Sequence, residues 1–151
     1  MSKYYWEDFT PGWTYDSTAR SLSAEDIVRF AREYDPQVYH TDAEAAKATP
    51  FGGLIASGWQ TCGVMMRLMC DGYLLESACV GSPGLEEVRW LKPVRPGDAL
   101  RLRSTVLEQT PSQKDAGRGT VKFRWDVLNQ KDEVVCRMVG RQHYRRRSPA
   151  Q

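Results

Sequence analysis

Cysteine is scarce and without pattern in this chain of 151 residues: Cys62, Cys70, Cys79 and Cys136 form no C-x-x-C pair and no metal-ligand spacing. Three of the four sit inside apolar runs, so they read as small buried hydrophobes in a reducing compartment, with neither a metal site nor a disulfide framework expected. Histidine is scarcer still, with only His40 and His143. No excess of one charge exists either: 21 Lys and Arg stand against 19 Asp and Glu, a net +2 that argues against a broad electrostatic footprint for nucleic acid. No apolar run approaches the ~18 residues of a membrane span, and Met1 to Phe9 lack the apolar stretch of a secretory signal. The expectation is a cytoplasmic protein with neither nucleic-acid nor membrane partners. Internal repeats and low-complexity segments are absent from the sequence as well.

What is present describes an ordinary globular chain, 41% hydrophobic and 26% charged. Its length suits one domain over residues 1–151 with one core, burying roughly 70% of its extended-chain surface without a staple. The small positive charge is unevenly spread, because Arg137, Arg141, Arg145, Arg146 and Arg147 crowd the last strand and tail. That cluster reads either as a solvated edge with a flexible basic end from about residue 145, or as part of a site for an anionic ligand.

Ser23 to Asp26 has the form of a capping box, a hydroxyl followed three residues later by a carboxylate. Ile27, Phe30, Ala31 and Tyr34 follow at helical spacing, which predicts an amphipathic helix from Ala24 to about Tyr34. Pro36 disfavours helical geometry at Asp35, so the helix ends where that carboxylate begins. Asp42 reads as an N-cap for an Ala-rich turn over Ala43 to Ala48, and Phe51-Gly52-Gly53 as a loop. From Ser57-Gly58 an apolar segment with Trp59, Val64, Met65, Leu68, Met69 and Tyr73 predicts a buried helix of about four turns against a sheet. Its glycines, Gly58, Gly63 and Gly72, suggest close approach. The methionines read as core filling or as the wall of an apolar channel.

The period then changes. An edge strand is expected within Trp13 to Leu22, and further strands over Leu85 to Leu91, Leu100 to Leu107, Thr120 to Leu128 and Val134 to Tyr144. The alternation is clean in Val121, Phe123, Trp125 and Val127, with Lys122, Arg124 and Asp126 on the other face. Helices first and an antiparallel meander after make an α+β arrangement.

Two residues stand out for chemistry. Asp35 and His40 lie five apart, and a carboxylate and an imidazole sharing one water can give and take protons near neutral pH. A lone histidine is more often structural than catalytic, and Asp35 taken alone could merely end its helix. Ser57 lacks the flanking pattern of a nucleophile elbow and reads as the N-cap of the long helix. His143, in an Arg-rich strand, reads as exposed.

Three features coincide: the Asp-x4-His segment after a short helix, the glycine-rich lead into a buried helix, and Pro93-Val94-Arg95-Pro96-Gly97-Asp98 before the closing strands. Together they resemble the MaoC-like dehydratases, the (R)-specific enoyl-CoA hydratases of the hot-dog fold, over about Trp6 to Tyr144. The family's motif, Gly-Asp-x-Asn-Pro-(aliphatic)-His with an acidic residue two positions on, aligns with Tyr34 to Asp42. Asp35, His40 and Asp42 match, while Tyr34 replaces glycine and Gln37-Val38 stand where Asn-Pro would be.

The resemblance implies a long central helix wrapped by a curled antiparallel sheet, and paired subunits forming a homodimer or a higher homo-oligomer. It also implies a substrate that is an acyl-CoA or an acyl carrier protein thioester. Asp35 and His40 would be catalytic, with Ser57, Gly58 and Trp59 around the substrate and the Gly58 N–H facing the enolate oxygen; no metal or redox cofactor is implied. Two other readings remain beside the hydratase: an acyl-CoA thioesterase on the same fold, or an acyl-CoA-binding subunit without turnover.

Overall fold

Strand pairing organises the second half of the chain into one long meander. In the computed structural model, which describes residues 1–148, β3 (Cys79–Trp90), β4 (Ala99–Pro111), β5 (Arg118–Leu128) and β6 (Val134–Arg145) follow the helices. The segment expected as one edge strand splits into β1 (Thr14–Asp16) and β2 (Arg20–Ser21), which line up antiparallel along β4. The sheet runs β1-β4-β5-β6-β3, all antiparallel, with β2 also on β4.

Side-chain alternation decides what the sheet wraps. Val121, Phe123, Trp125 and Val127 of β5 are buried on the inner face, as their spacing predicts. They meet α4 (Gly58–Met69), whose Val64, Met65, Leu68 and Met69 are buried in the same core. A helical turn over Cys70–Leu74 extends α4, so the apolar segment is as long as expected. Tyr73 within it is fully buried, donates its hydroxyl to Ser104 Oγ at 3.0 Å and accepts from Trp125 Nε1 at 3.1 Å. The helix held in a curled antiparallel sheet is the hot-dog arrangement, an α+β fold.

Two of the three glycines of this segment are close-approach sites: a Cβ at Gly58 would run into the Trp90 indole, and one at Gly72 into the Tyr15 ring. Gly63 differs, because a Cβ there would meet nothing.

The outer face is a layer of ion pairs. Lys122 and Arg141 each reach Glu86 and Glu108, and Arg124 and Arg137 both reach the buried Asp126. At the chain end Arg146 lies 4.8 Å over the Trp6 ring and 3.5 Å from Glu7, while Arg147 pairs with Asp8 at 2.7 Å. Four of the five clustered arginines thus face carboxylates of the chain itself. The flexible end expected from about residue 145 begins inside β6, and its last part, residues 149–151, lies outside the described residues. Only Cys136 of the four free cysteines is fully buried; Cys62 within α4, Cys70 just after it and Cys79 at the start of β3 stay partly exposed, against expectation. Among the described residues no helix is long and apolar enough to cross a membrane.

Candidate active site

The site begins with how α1 (Ala24–Tyr34) starts and stops. The Asp26 N–H donates to Ser23 Oγ at 3.1 Å and the Ser23 N–H to Asp26 Oδ2 at 3.2 Å, which is the capping box. Ile27 and Ala31 form its buried face. At the other end Asp35, with Pro36 behind it, leaves helical geometry (φ −152°, ψ 69°) while its N–H still donates to Ala31 O at 2.8 Å. The carboxylate is thereby aimed away from the helix.

One further turn, α2 (Val38–Thr41), carries His40 and was not evident from periodicity. Asp42 then caps α3 (Ala43–Ala46), accepting from the Glu44 and Ala45 N–H groups at 3.0 Å each. The intervening chain returns along α2: the Ile55 N–H donates to Tyr39 O at 3.0 Å, and His40 Nδ1 lies 2.7 Å from Ile55 O. A carbonyl only accepts, so Nδ1 carries a proton, and Nε2 is left to face Asp35. Arg95 donates to Phe51 O and Gly53 O, tying the glycine loop to the Pro93–Asp98 turn.

Asp35 Oδ2 is 3.3 Å from His40 Nε2 and accepts from Ser57 Oγ at 2.7 Å; Oδ1 accepts from Gln37 Nε2 at 2.7 Å. Burial pushes the Asp35 carboxyl up, but the Ser57 and Gln37 hydrogen bonds and the charge of His40 outweigh it and hold the group below its ordinary value. His40 is only 5% exposed.

Asp35, His40, Gly58 and Trp59 line one pocket of about 510 Å³, within the range of small-molecule sites, together with Gln37 and Tyr39. Ser57 stands behind this wall. It has no exposed surface, and its hydroxyl donates to Asp35 while accepting from the Trp59 N–H at 3.3 Å, so it is both the expected cap and a support for the carboxylate. The Gly58 N–H, at the start of α4, has no hydrogen-bond partner among the described residues. Unpaired N–H groups at a helix start favour developing negative charge. Trp90, from the end of β3, packs over Gly58 and edge-on to Trp59, with ring centres 5.2 Å apart. Sequence reasoning missed Trp90, which only strand register brings here, and Tyr39. Gln37 could be found, since its amide lies two residues from Asp35. Among the described residues no three His, Cys, Asp or Glu side chains converge as metal ligands. His143 faces Thr120, with Nδ1 2.9 Å from Oγ1, away from this pocket.

The family profile described as the MaoC like domain matches residues 8–125. The chain belongs to the MaoC-like dehydratase family. A crystal structure of the MaoC-like dehydratase from Rhodospirillum rubrum is 41% identical, with a TM-score of 0.89 over 95% of this chain and 98% of that one. The uncharacterized protein YdeM of Bacillus subtilis (strain 168) is 33% identical over 129 residues, 85% of this chain and 90% of that protein. The 3-hydroxyacyl-thioester dehydratase Z of Mycobacterium tuberculosis is 33% identical over 104 residues, 68% of this chain and 66% of its own length. The MaoC-like region thus includes Asp35, His40 and the start of α4, the residues that meet in the pocket.

Proposed function

We propose that this chain adds water to trans-2-enoyl thioesters, or in reverse dehydrates (R)-3-hydroxyacyl thioesters, with Asp35 and His40 binding the water together. The observation that carries the reading is the 3.3 Å approach of His40 Nε2 to Asp35 Oδ2 at the wall of a pocket that Gly58, the first residue of α4, also lines. A water resting on both groups is about 2.8 Å from each. Its oxygen attacks the β-carbon, one of its protons passes to the pair, and a proton is delivered to the α-carbon. Negative charge collects on the thioester oxygen, which the Gly58 N–H and the start of α4 stabilise. Ser57 and Gln37 keep Asp35 ionised, as a proton acceptor must be.

The acyl group belongs to coenzyme A or to an acyl carrier protein, and Trp59 and Trp90 offer it an apolar wall. We infer at least a homodimer, supported by the edge strand β3, on which Val80, Leu85 and Trp90 are exposed. The enzyme is inferred to work in the cytoplasm.

The purified protein is incubated with crotonyl-CoA and longer 2-enoyl-CoAs while enoyl absorbance and free thiol are followed separately. Loss of enoyl absorbance without thiol release is expected. Thiol release would instead mean a thioesterase, and tight binding with neither a subunit without turnover. Asp35→Asn and His40→Ala are each expected to cut the rate by about 10²-fold or more. Full hydration by both variants would remove the pair from the mechanism.

A further inference from the structure

The Asp35 carboxylate is held from two sides, and one of the two bonds carries a directional ambiguity. Gln37 Nε2 donates to Asp35 Oδ1 at 2.7 Å. A primary amide presents donors at one end and an acceptor at the other, so a half-turn about its last bond replaces attraction with repulsion between two acceptors. Little packing prevents that half-turn, because Gln37 is exposed. An ionised carboxylate only accepts, so the nitrogen must face Asp35, and the amide oxygen then points to the Tyr39 hydroxyl, which donates to Gln37 Oε1.

The Tyr39 ring is fixed where it can do this. Its centre is 4.5 Å from that of His40, edge to face at 81°, and 5.1 Å from that of Phe51. The turn of α2 holds the two side chains in register: Gln37 is its N-cap residue, and the His40 N–H donates to Gln37 O at 2.9 Å. A chain of hydrogen bonds therefore runs from Tyr39 through Gln37 to Asp35, whose other oxygen meets His40 and Ser57.

We propose that Tyr39 and Gln37 are paired positioning residues: the Asp35 carboxylate dictates which end of the Gln37 amide it meets, and the Tyr39 hydroxyl, donating to the other end, pins the amide there and so keeps Asp35 Oδ2 turned to His40. The hydrogen-bond chain stands on its own geometry, and its kinetic consequence rests on the hydratase reading. Neither side chain touches the reacting atoms. The phenol acts through the amide, and the amide through the carboxylate.

Tyr39→Phe, Gln37→Leu and the double variant test the pair by two readouts. One is kcat and KM for hydration of an enoyl-CoA across pH; the other is a ¹³C titration of the Asp35 carboxyl carbon, which needs no substrate. Gln37 is exposed and Tyr39 half-buried, and thermal unfolding confirms that each variant folds. Tyr39→Phe is expected to lower kcat by up to about tenfold, the scale of one neutral hydrogen bond, with KM within about twofold. It also moves the Asp35 titration, and the acid limb of kcat with it, to higher pH, since the Gln37 donor that favours the ionised form is no longer pinned in place. Gln37→Leu behaves alike, and the double variant is no worse than Gln37→Leu alone. An Asp35 titration unmoved by Tyr39→Phe, losses that multiply in the double variant, or a change confined to KM would each overturn the pairing. A wild-type protein that hydrates no enoyl thioester would sink the hydratase reading instead, and the carboxyl titration would still decide the pairing.

Discussion

Replacing Ser57 with alanine removes one oxygen that serves two partners, and pH separates the two losses. Ser57 Oγ caps α4 by accepting from the Trp59 N–H at 3.3 Å and donates to Asp35 Oδ2 at 2.7 Å. Loss of an N-cap hydroxyl costs about 1 kcal/mol. A hydrogen bond to a charged group contributes about 1.5–3 kcal/mol. The Asp35 side chain keeps 17% of its surface exposed, and solvent screening favours the lower figure. The sum is about 2.5 kcal/mol, or a fall in Tm of roughly 5–10 °C for a chain this long.

Asp35 is held below its ordinary value in the folded state. Its contribution to stability is therefore complete above its unfolded value of about 3.9 and is lost as pH falls through the folded one. Ser57→Ala raises the folded value and subtracts from that contribution. The difference from wild type is thus about 2.5 kcal/mol near pH 7 and shrinks toward the capping part, about 1 kcal/mol, at a pH acid enough to protonate Asp35 in the folded wild type. Urea unfolding at both pH values measures it. Equal differences at the two would show that Ser57 acts on the helix alone, and the argument linking it to Asp35 would fail.

Two further outcomes are expected. The Cys136 thiol and the Trp90 N–H, as hydrogen-bond donors, outweigh burial and bring the Cys62 thiol down to about 7, while the same contact and burial push Cys136 up. Mass spectrometry after brief iodoacetamide treatment should find Cys62 modified with a rate that rises through about pH 7, and Cys136 spared. Tyr73→Phe leaves the Trp125 N–H and Ser104 without their shared partner in a fully buried position, and should cost about 1–3 kcal/mol in urea unfolding with the fold intact.

How much of this was legible in the chain follows from which forces are local. α1 was readable at both ends because its capping box and Pro36 act within a few residues of the termini they define. β5 was readable because its inner and outer faces alternate in polarity. α2 was not: four residues are too few for a period, and its His40 is held by the distant Ile55 carbonyl. β3 was read too short because Gly81, Pro83 and Gly84 signal a loop. The strand instead passes through them with register shifts against β6 and positive φ at both glycines. In the site, the Asp35/His40 spacing and the capping role of Ser57 were local and legible. That the Ser57 hydroxyl also reaches Asp35, 22 positions earlier, was not. Gln37-Val38, standing where the family has Asn-Pro, were the weakest point of the resemblance, and in the fold Gln37 still brings an amide to the carboxylate.

The indole of Trp90 over Gly58 bears on how the Gly58 N–H is to be probed. Any side chain at position 58 would displace that indole, so a Gly58→Ala variant would shift the Trp59–Trp90 wall along with the helix start, and its lost rate would mix two causes. Protein semisynthesis separates them. Installing glycolic acid in place of Gly58 turns one amide into an ester, deleting the N–H while leaving the α-carbon bare beneath Trp90. A rate loss in that ester analogue, with Trp90 fluorescence unchanged, would report on the backbone donor alone.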